Sequence, residues 1–178
     1  MPAPLTFDAP KIHSAIEQIA TAIRTRHGSD PTVCLIGITN GGVELNRRLG
    51  RLLGSKIPLG ELDPSFHRDD IRQNPIPKET QPSIIPFDVT GRTVILVDDV
   101  LFSGRTLNAA LNELFDHGRP AAVELAVLVD RGGRKLPFSA DYVGLTVSAG
   151  TDKKVVVTLD PSDPSRDEAT ITAATKKS

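Results

Sequence analysis

Two adjacent carboxylates, Asp98 and Asp99, close an apolar run in the stretch VILVDDVLFSGRT (Val94–Thr106), and a short turn, Phe102-Ser103-Gly104-Arg105-Thr106, follows at once. Gly104 frees the backbone where the chain must leave a strand and enter a helix. Ser103, Gly104, Arg105 and Thr106 can then aim consecutive N–H groups at one anion, helped by the dipole of the helix that begins there. The outline is that of a cradle for a single phosphate; neither G-x-x-x-x-G-K-[ST] nor G-x-G-x-x-G occurs in the chain. Read alone, Ser103-Gly104 fits an ordinary helix cap equally well. The acid pair changes the balance. Two anions beside an anion cradle repel unless something lies between them, and a sugar phosphate fits that space. The carboxylates accept from a vicinal diol and favour positive charge developing on the ring, while the turn holds the phosphate.

The elements that must position these residues alternate along the chain. Ile12, Ile16, Ile19, Ala20 and Ile23 make one helical stripe within Lys11–His27. Thr32–Ile38 is short and almost wholly apolar, as in a strand buried on both faces. Gly41-Gly42 breaks it, a helix is expected over Val43–Leu53, and Lys56–Leu62 reads as a second strand. A polar, Pro-containing stretch, about 64–86, is expected to be a flexible loop of functional importance. A strand over Thr93–Asp98, a helix near Thr106–His117 and a strand over Ala122–Asp130 come next. Tyr142–Val147 and Lys154–Leu159 read as short strands that could pair as a hairpin, and the polar tail from Asp160 is expected to fray. This order predicts one α/β domain over residues 1–178, a mainly parallel sheet flanked by helices. Ligands of such sheets sit beyond the carboxyl ends of strands. That singles out Gly37–Gly42, Asp98–Thr106 and Asp130–Lys135.

Bulk properties exclude several classes. A 39% apolar content argues against disorder, and a net charge of −1 gives no global attraction to nucleic acid. Aromatics at 4% rule against a base-stacking platform. The single cysteine, Cys34, lies in the apolar run VCLIGI and is expected to be a small buried hydrophobe. The N-terminal stretch MPAPLTFDAPK has neither a basic nor an apolar leader region, and no apolar run is long enough to span a membrane. A cytoplasmic location without a membrane partner is expected. A two-component receiver domain also carries an acid pair after a strand, but near its N-terminus; here the pair comes past mid-chain.

The stretch VILVDDVLFSGRT resembles the phosphoribosyl pyrophosphate signature of type I phosphoribosyltransferases. The blocks GELDPSFHRDD, HGRPAAVELAVLVDRGGRKLP and ADYVG are similar to those of the pyr-operon attenuation regulator/uracil phosphoribosyltransferase (PyrR) family. The resemblance implies the type I phosphoribosyltransferase fold with a small hood. It implies formation of UMP and pyrophosphate from uracil and phosphoribosyl pyrophosphate with Mg²⁺, in a homodimer or homotetramer. It implies that Asp98 and Asp99 hold the ribose hydroxyls with Mg²⁺ nearby, that Phe102–Thr106 wrap the 5′-phosphate, and that Thr39, Asn40, Gly41 and Gly42 bind pyrophosphate. It implies a uracil pocket at Val129, Asp130 and Arg131, and a pyrophosphate clamp at Arg68 in the long loop. The pyrophosphate loop lacks the basic residue common in the family, and His67 stands where a Tyr is usual; no role is assigned to it. For Arg134 and Lys135 surface and catalytic roles stay open, while Arg47, Arg48 and Arg51 read as a solvated face.

The same resemblance implies a pyr mRNA hairpin as a partner, bound through a basic face. Glu17, Gln18, Thr21 and Ser139 stand where Thr, Arg, His and a basic residue are expected in RNA-binding members. Arg24, Arg26, Arg131, Arg134, Lys153 and Lys154 remain. Weak RNA binding is expected, because phosphate contacts dominate such affinity. The alternatives are an RNA-binding, UMP-sensing regulator with little catalysis, or a phosphoribosyltransferase for another base.

Overall fold

The computed structural model describes residues 5–67, 82–150 and 152–173. In chain order its elements are β1 (Leu5–Phe7), α1 (Ala9–His27), β2 (Val33–Ile38), α2 (Gly42–Leu53), β3 (Leu59–Leu62), β4 (Thr93–Leu101), α3 (Arg105–Asp116), β5 (Ala122–Asp130), β6 (Tyr142–Thr146), β7 (Lys153–Thr158) and β8 (Glu168–Ala173). Single 3-10 turns cover Ser65–His67 and Pro164–Arg166.

All six residues of β2 are buried, because the strand runs through the middle of a five-stranded parallel sheet of order β3-β2-β4-β5-β6. Strand alternation sorts the core into two layers. Leu35, Ile95, Val97, Ala126 and Leu128 pack with α1 and α2 on one face; Cys34, Ile36, Leu96, Leu125 and Val127 pack with α3 on the other. Asp8 caps α1, its side chain accepting from Lys11 N at 3.2 Å, and the stripe foreseen at Ile12, Ile16, Ile19, Ala20 and Ile23 is buried. Cys34 is fully buried, and burial pushes its thiol up to about 11, so it is inert near neutral pH.

From β2 the chain crosses through α2 outward to edge strand β3, then returns to β4 on the other side of β2. The β2/β4 junction is therefore the topological switch, and the ligand crevice is expected beyond its carboxyl ends. Strand β4 runs three residues past the expected end at Asp98, because Val100 and Leu101 still pair with Val129 and Asp130. Asp98 pairs with Val127 in the ladder, and Asp99 lies within the same strand.

Two sequence expectations need correction. The stretches at 142–147 and 154–159 do not form a hairpin: β6 joins the parallel sheet beside β5, whereas β7 pairs antiparallel with β8. The tail does not fray over its described part. Strand β8 joins β7 and β1 in a three-stranded antiparallel sheet built from both ends of the chain, which forms the small hood. Its sequence EATITA hides the signal, because small and Thr residues alternate with only Ala169 and Ile171 as core contacts.

A third correction concerns Arg48, which is buried rather than solvated. Its guanidinium pairs with Asp167 and donates to the Asp160 carbonyl at 2.7 Å, while Nε donates to Glu44 at 2.9 Å. Arg47 and Arg51 are exposed, as expected. Of the long polar stretch, residues 68–81, with Arg68, Asp69 and Asp70, lie outside the described residues. Its two flanks meet where Ile84 bridges Glu61. Among the described residues no helix is long and apolar enough to cross a membrane.

Candidate active site

The loop after β2 and the acids of β4 come into direct contact. Thr39 N donates to Leu62 O at 2.9 Å, the Thr39–Asn40 peptide is cis, and the chain then turns into α2. A Cβ at Gly41 would stand 2.3 Å from Asp99 Cγ, and one at Gly42 would stand 2.0 Å from the Val97 carbonyl oxygen. Only glycine permits that approach, so Gly41-Gly42 is more than a turn signal. It presses the backbone of the loop against the Asp99 carboxylate.

Asp98 and Asp99 are half-buried, and Asp98 Oδ1 accepts from Asp99 N at 2.9 Å. Burial, and then the charge of Asp99, holds the Asp98 carboxyl well above the usual carboxylate range. Burial also raises Asp99, against hydrogen bonds to it and the positive charge of Lys154. Lys154, on β7 of the hood, therefore acts electrostatically at this site, whereas the sequence grouped it with a basic RNA face. No local spacing could reveal this, since the link is made by the sheet of the hood.

The turn after β4 has the backbone its sequence requires. Gly104 takes φ +89°, in the left-handed region, and a Cβ there would also stand 2.9 Å from the Phe138 ring. It occupies the N-cap position of α3 without a side-chain cap, which leaves the start of the helix suited to an anion. Ser103 Oγ accepts from Arg105 N at 3.3 Å, and the Ser103 carbonyl accepts from Lys135 N and Leu136 N, both at 3.0 Å. The turn is thus held from outside by the loop that follows β5.

Comparison with known proteins gives this arrangement a family. Residues 7–162 match the phosphoribosyl transferase domain. The chain belongs to the phosphoribosyl transferase family. Within that family it is 44% identical to the bifunctional protein PyrR of Chloroflexus aurantiacus over 162 residues, 88% of each chain. It is 42% identical to the bifunctional protein PyrR of Roseiflexus sp. over 177 residues, 97% of this chain and 96% of that one. It is 52% identical to the Pseudomonas aeruginosa protein of the same name over 120 residues, 67% of this chain and 71% of that one. A hypoxanthine phosphoribosyltransferase of Trypanosoma cruzi superposes with a TM-score of 0.67 at 22% identity, over 94% and 95% of the two chains. A hypoxanthine-guanine phosphoribosyltransferase of Bacillus anthracis gives 0.66 at 21%, over 83% and 85%. The likeness to these two solved structures is one of fold.

The third strand end of this phosphoribosyltransferase behaves differently from the other two. The Val129 side chain lies in the core, so any part it plays at a base falls to the backbone. Asp130 is engaged by its own turn: one oxygen accepts from Gly132 N at 2.9 Å, and the other pairs with Arg134 at 2.6 Å. Arg131 is buried. Its guanidinium stacks 3.9 Å from the centroid of the Phe102 ring and donates to the Gly150 carbonyl at 3.1 Å. Phe102 is pressed from Gly133 as well, where a Cβ would come within 2.6 Å of the ring. Its side chain is thereby a packing element, which leaves only its backbone free for a phosphate cradle. Arg134 donates to the carbonyls of Phe102 at 2.9 Å and Phe138 at 3.0 Å, so it fastens the β5 loop to the turn after β4. Sequence left Arg134 open between surface and catalysis. The R-G-G-R spacing, with two glycines at positive φ between the arginines, was the available signal.

Proposed function

We propose that this site transfers the phosphoribosyl group of phosphoribosyl pyrophosphate to uracil, and that the same nucleotide site serves attenuation of a pyr operon. The contact of Gly41 with Asp99 carries the reading. It brings the Gly41-Gly42 loop against the acid pair, on the strand that runs into the Ser103–Thr106 turn, at the β2/β4 switch, which supports one site for pyrophosphate, ribose and 5′-phosphate.

The C1′–oxygen bond to pyrophosphate breaks, and a bond from C1′ to the base nitrogen forms. Asp98 and Asp99 accept from the ribose hydroxyls and favour the positive charge that develops on the ring. Ser103–Thr106 hold the 5′-phosphate by backbone N–H groups and hydroxyls. Thr39–Gly42 receive the pyrophosphate, and the chain after Val129 reads the base edge. Two half-buried carboxylates of raised proton affinity are hard oxygen donors in need of a cation, which suits Mg²⁺. Held near Asp98 and Asp99, Mg²⁺ would offset the charge of the substrate's phosphates. With uracil, cytosine, hypoxanthine and guanine offered in turn, UMP formation from uracil is expected to dominate. No UMP above an enzyme-free control would overturn the transferase reading.

RNA binding is expected to be weak. Glu17, Gln18 and Thr21 are exposed on α1, and two cations beside them are engaged. Arg26 pairs with Glu124 at 3.0 Å, and Arg24 donates to the Leu52 carbonyl at 2.6 Å. Fewer phosphate contacts give a shallow dependence of affinity on salt. A gel shift with a pyr-type hairpin should show little complex at moderate salt. Tight binding enhanced by UMP would instead favour a regulator that uses the site chiefly as a sensor.

A further inference from the structure

Away from the crevice, one group of His and carboxylate side chains among the described residues brings its ligand atoms within 4.8 Å of one another: His67, Glu113 and Asp116. His67 ends the 3-10 turn after β3, while the two acids lie near the end of α3. His67 Nε2 stands 3.1 Å from Asp116 Oδ2 and 3.3 Å from Glu113 Oε2. His117 Nε2 stands 3.2 Å from the other Glu113 oxygen and lies outside the group. Positions 113, 116 and 117 share one helix face by their i, i+3, i+4 spacing. A tetrahedral zinc ion with bonds of roughly 2.0 Å has ligand–ligand edges of roughly 3.3 Å. The two separations from His67 match those edges.

We propose that His67, Glu113 and Asp116 form a three-residue site, open to water at a fourth position, for a divalent transition metal of the zinc class. One imidazole and two carboxylates carry two negative charges, which one dication neutralises. Imidazole donors select such a metal over Mg²⁺ or Ca²⁺. The set also has an outer partner, as metal carboxylates usually do. Ser83 Oγ donates to Glu113 Oε1 at 2.7 Å and itself accepts from Asp63 N at 3.0 Å. Glu113 thereby bonds both flanks of the segment 68–81, His67 before it and Ser83 after it. A metal at this point ties both flanks to α3, the helix whose first turn makes the phosphate cradle.

The inference does not rest on the transferase reading, because binding is measured without substrate. The full chain, stripped with a chelator, is titrated with Co²⁺ and then Zn²⁺. One equivalent of Co²⁺ is expected to give the visible absorption of a four- or five-coordinate ion, displaced by Zn²⁺. His67→Gln should abolish the band, and Ser83→Ala, a change in a positioning residue, should weaken binding about tenfold. Asp99→Asn should leave the band unchanged, which separates this site from the acid pair. No band, or an undiminished band in His67→Gln, overturns the proposal and leaves ordinary carboxylate–imidazole pairs. If His67→Gln fails to fold, X-ray absorption of the zinc-loaded wild type decides: imidazole scattering supports the site, and its absence overturns it.

Discussion

Asp99→Asn is expected to lower the turnover of UMP formation by about 10²–10³-fold, the usual cost of removing one preorganised electrostatic group from an active site, while the thermal midpoint holds or rises. The carboxylate touches the glycine loop on one side and shares a strand end with Asp98 on the other. Asparagine keeps the shape, so the loss is one of charge. The stability half of the expectation follows from the raised proton affinity of the pair. Both folded carboxyls lie above the ordinary value of 3.8, through burial first and, for Asp98, the neighbouring charge second. A carboxyl raised in the fold favours folding below its unfolded value and loses that contribution as pH rises through its folded value. At neutral pH the ionised pair therefore works against the fold, and removing one charge relieves it. The gain should shrink toward acid pH, where the wild-type pair is protonated. Steady-state kinetics beside calorimetric scans at neutral and acid pH make the check. Equal losses of activity and stability would make Asp99 a structural residue.

The residues legible in sequence were those whose chemistry is local. The acid pair, Gly104 and Gly41-Gly42 each announce a backbone or charge requirement within a few positions, and the structure gives each such a setting: strand end, φ +89° turn, close approach to β4. The parallel core was legible for the same reason, since VCLIGI and VILV suit strands covered on both faces. What sequence missed depends on contacts between distant segments. Lys154 acts at Asp99 through the hood, and His67 meets α3 across the base of a long segment. Phe102 reads as part of a phosphate cradle, yet its ring is committed to Arg131 and Gly133. Arg48 reads as surface because Arg47 and Arg51 beside it are surface, and a helix face rotates by about 100° at each residue.

Arg48→Ala is expected to cost about 3–5 kcal/mol, the penalty for breaking a buried ion pair and leaving its partner charged. The side chain of Arg48 is 8% exposed and that of Asp167 is 0% exposed, so water cannot replace the lost cation. Asp167 would keep His13 at 2.9 Å and Asp160 N at 2.9 Å, but His13 is a weaker and part-exposed counterion. The damage falls on the hood, because Asp167 leads into β8 and Arg48 also holds the Asp160 carbonyl after β7. The effect depends on pH with a definite sign. Burial opposes ionisation of Asp167, yet hydrogen bonds from Arg48, Asp160 N and His13 outweigh it and hold the carboxyl below its ordinary value of 3.8. Such a group contributes stability above the unfolded value and loses it as pH falls through the folded one. The gap between wild type and Arg48→Ala should therefore be widest near neutrality and close below about pH 4. Urea unfolding across that range measures it directly. Asp167→Asn added to Arg48→Met should recover part of the loss, since that pair strands no buried charge. A single variant as stable as wild type at neutral pH would mean that the hood is held by its apolar contacts alone.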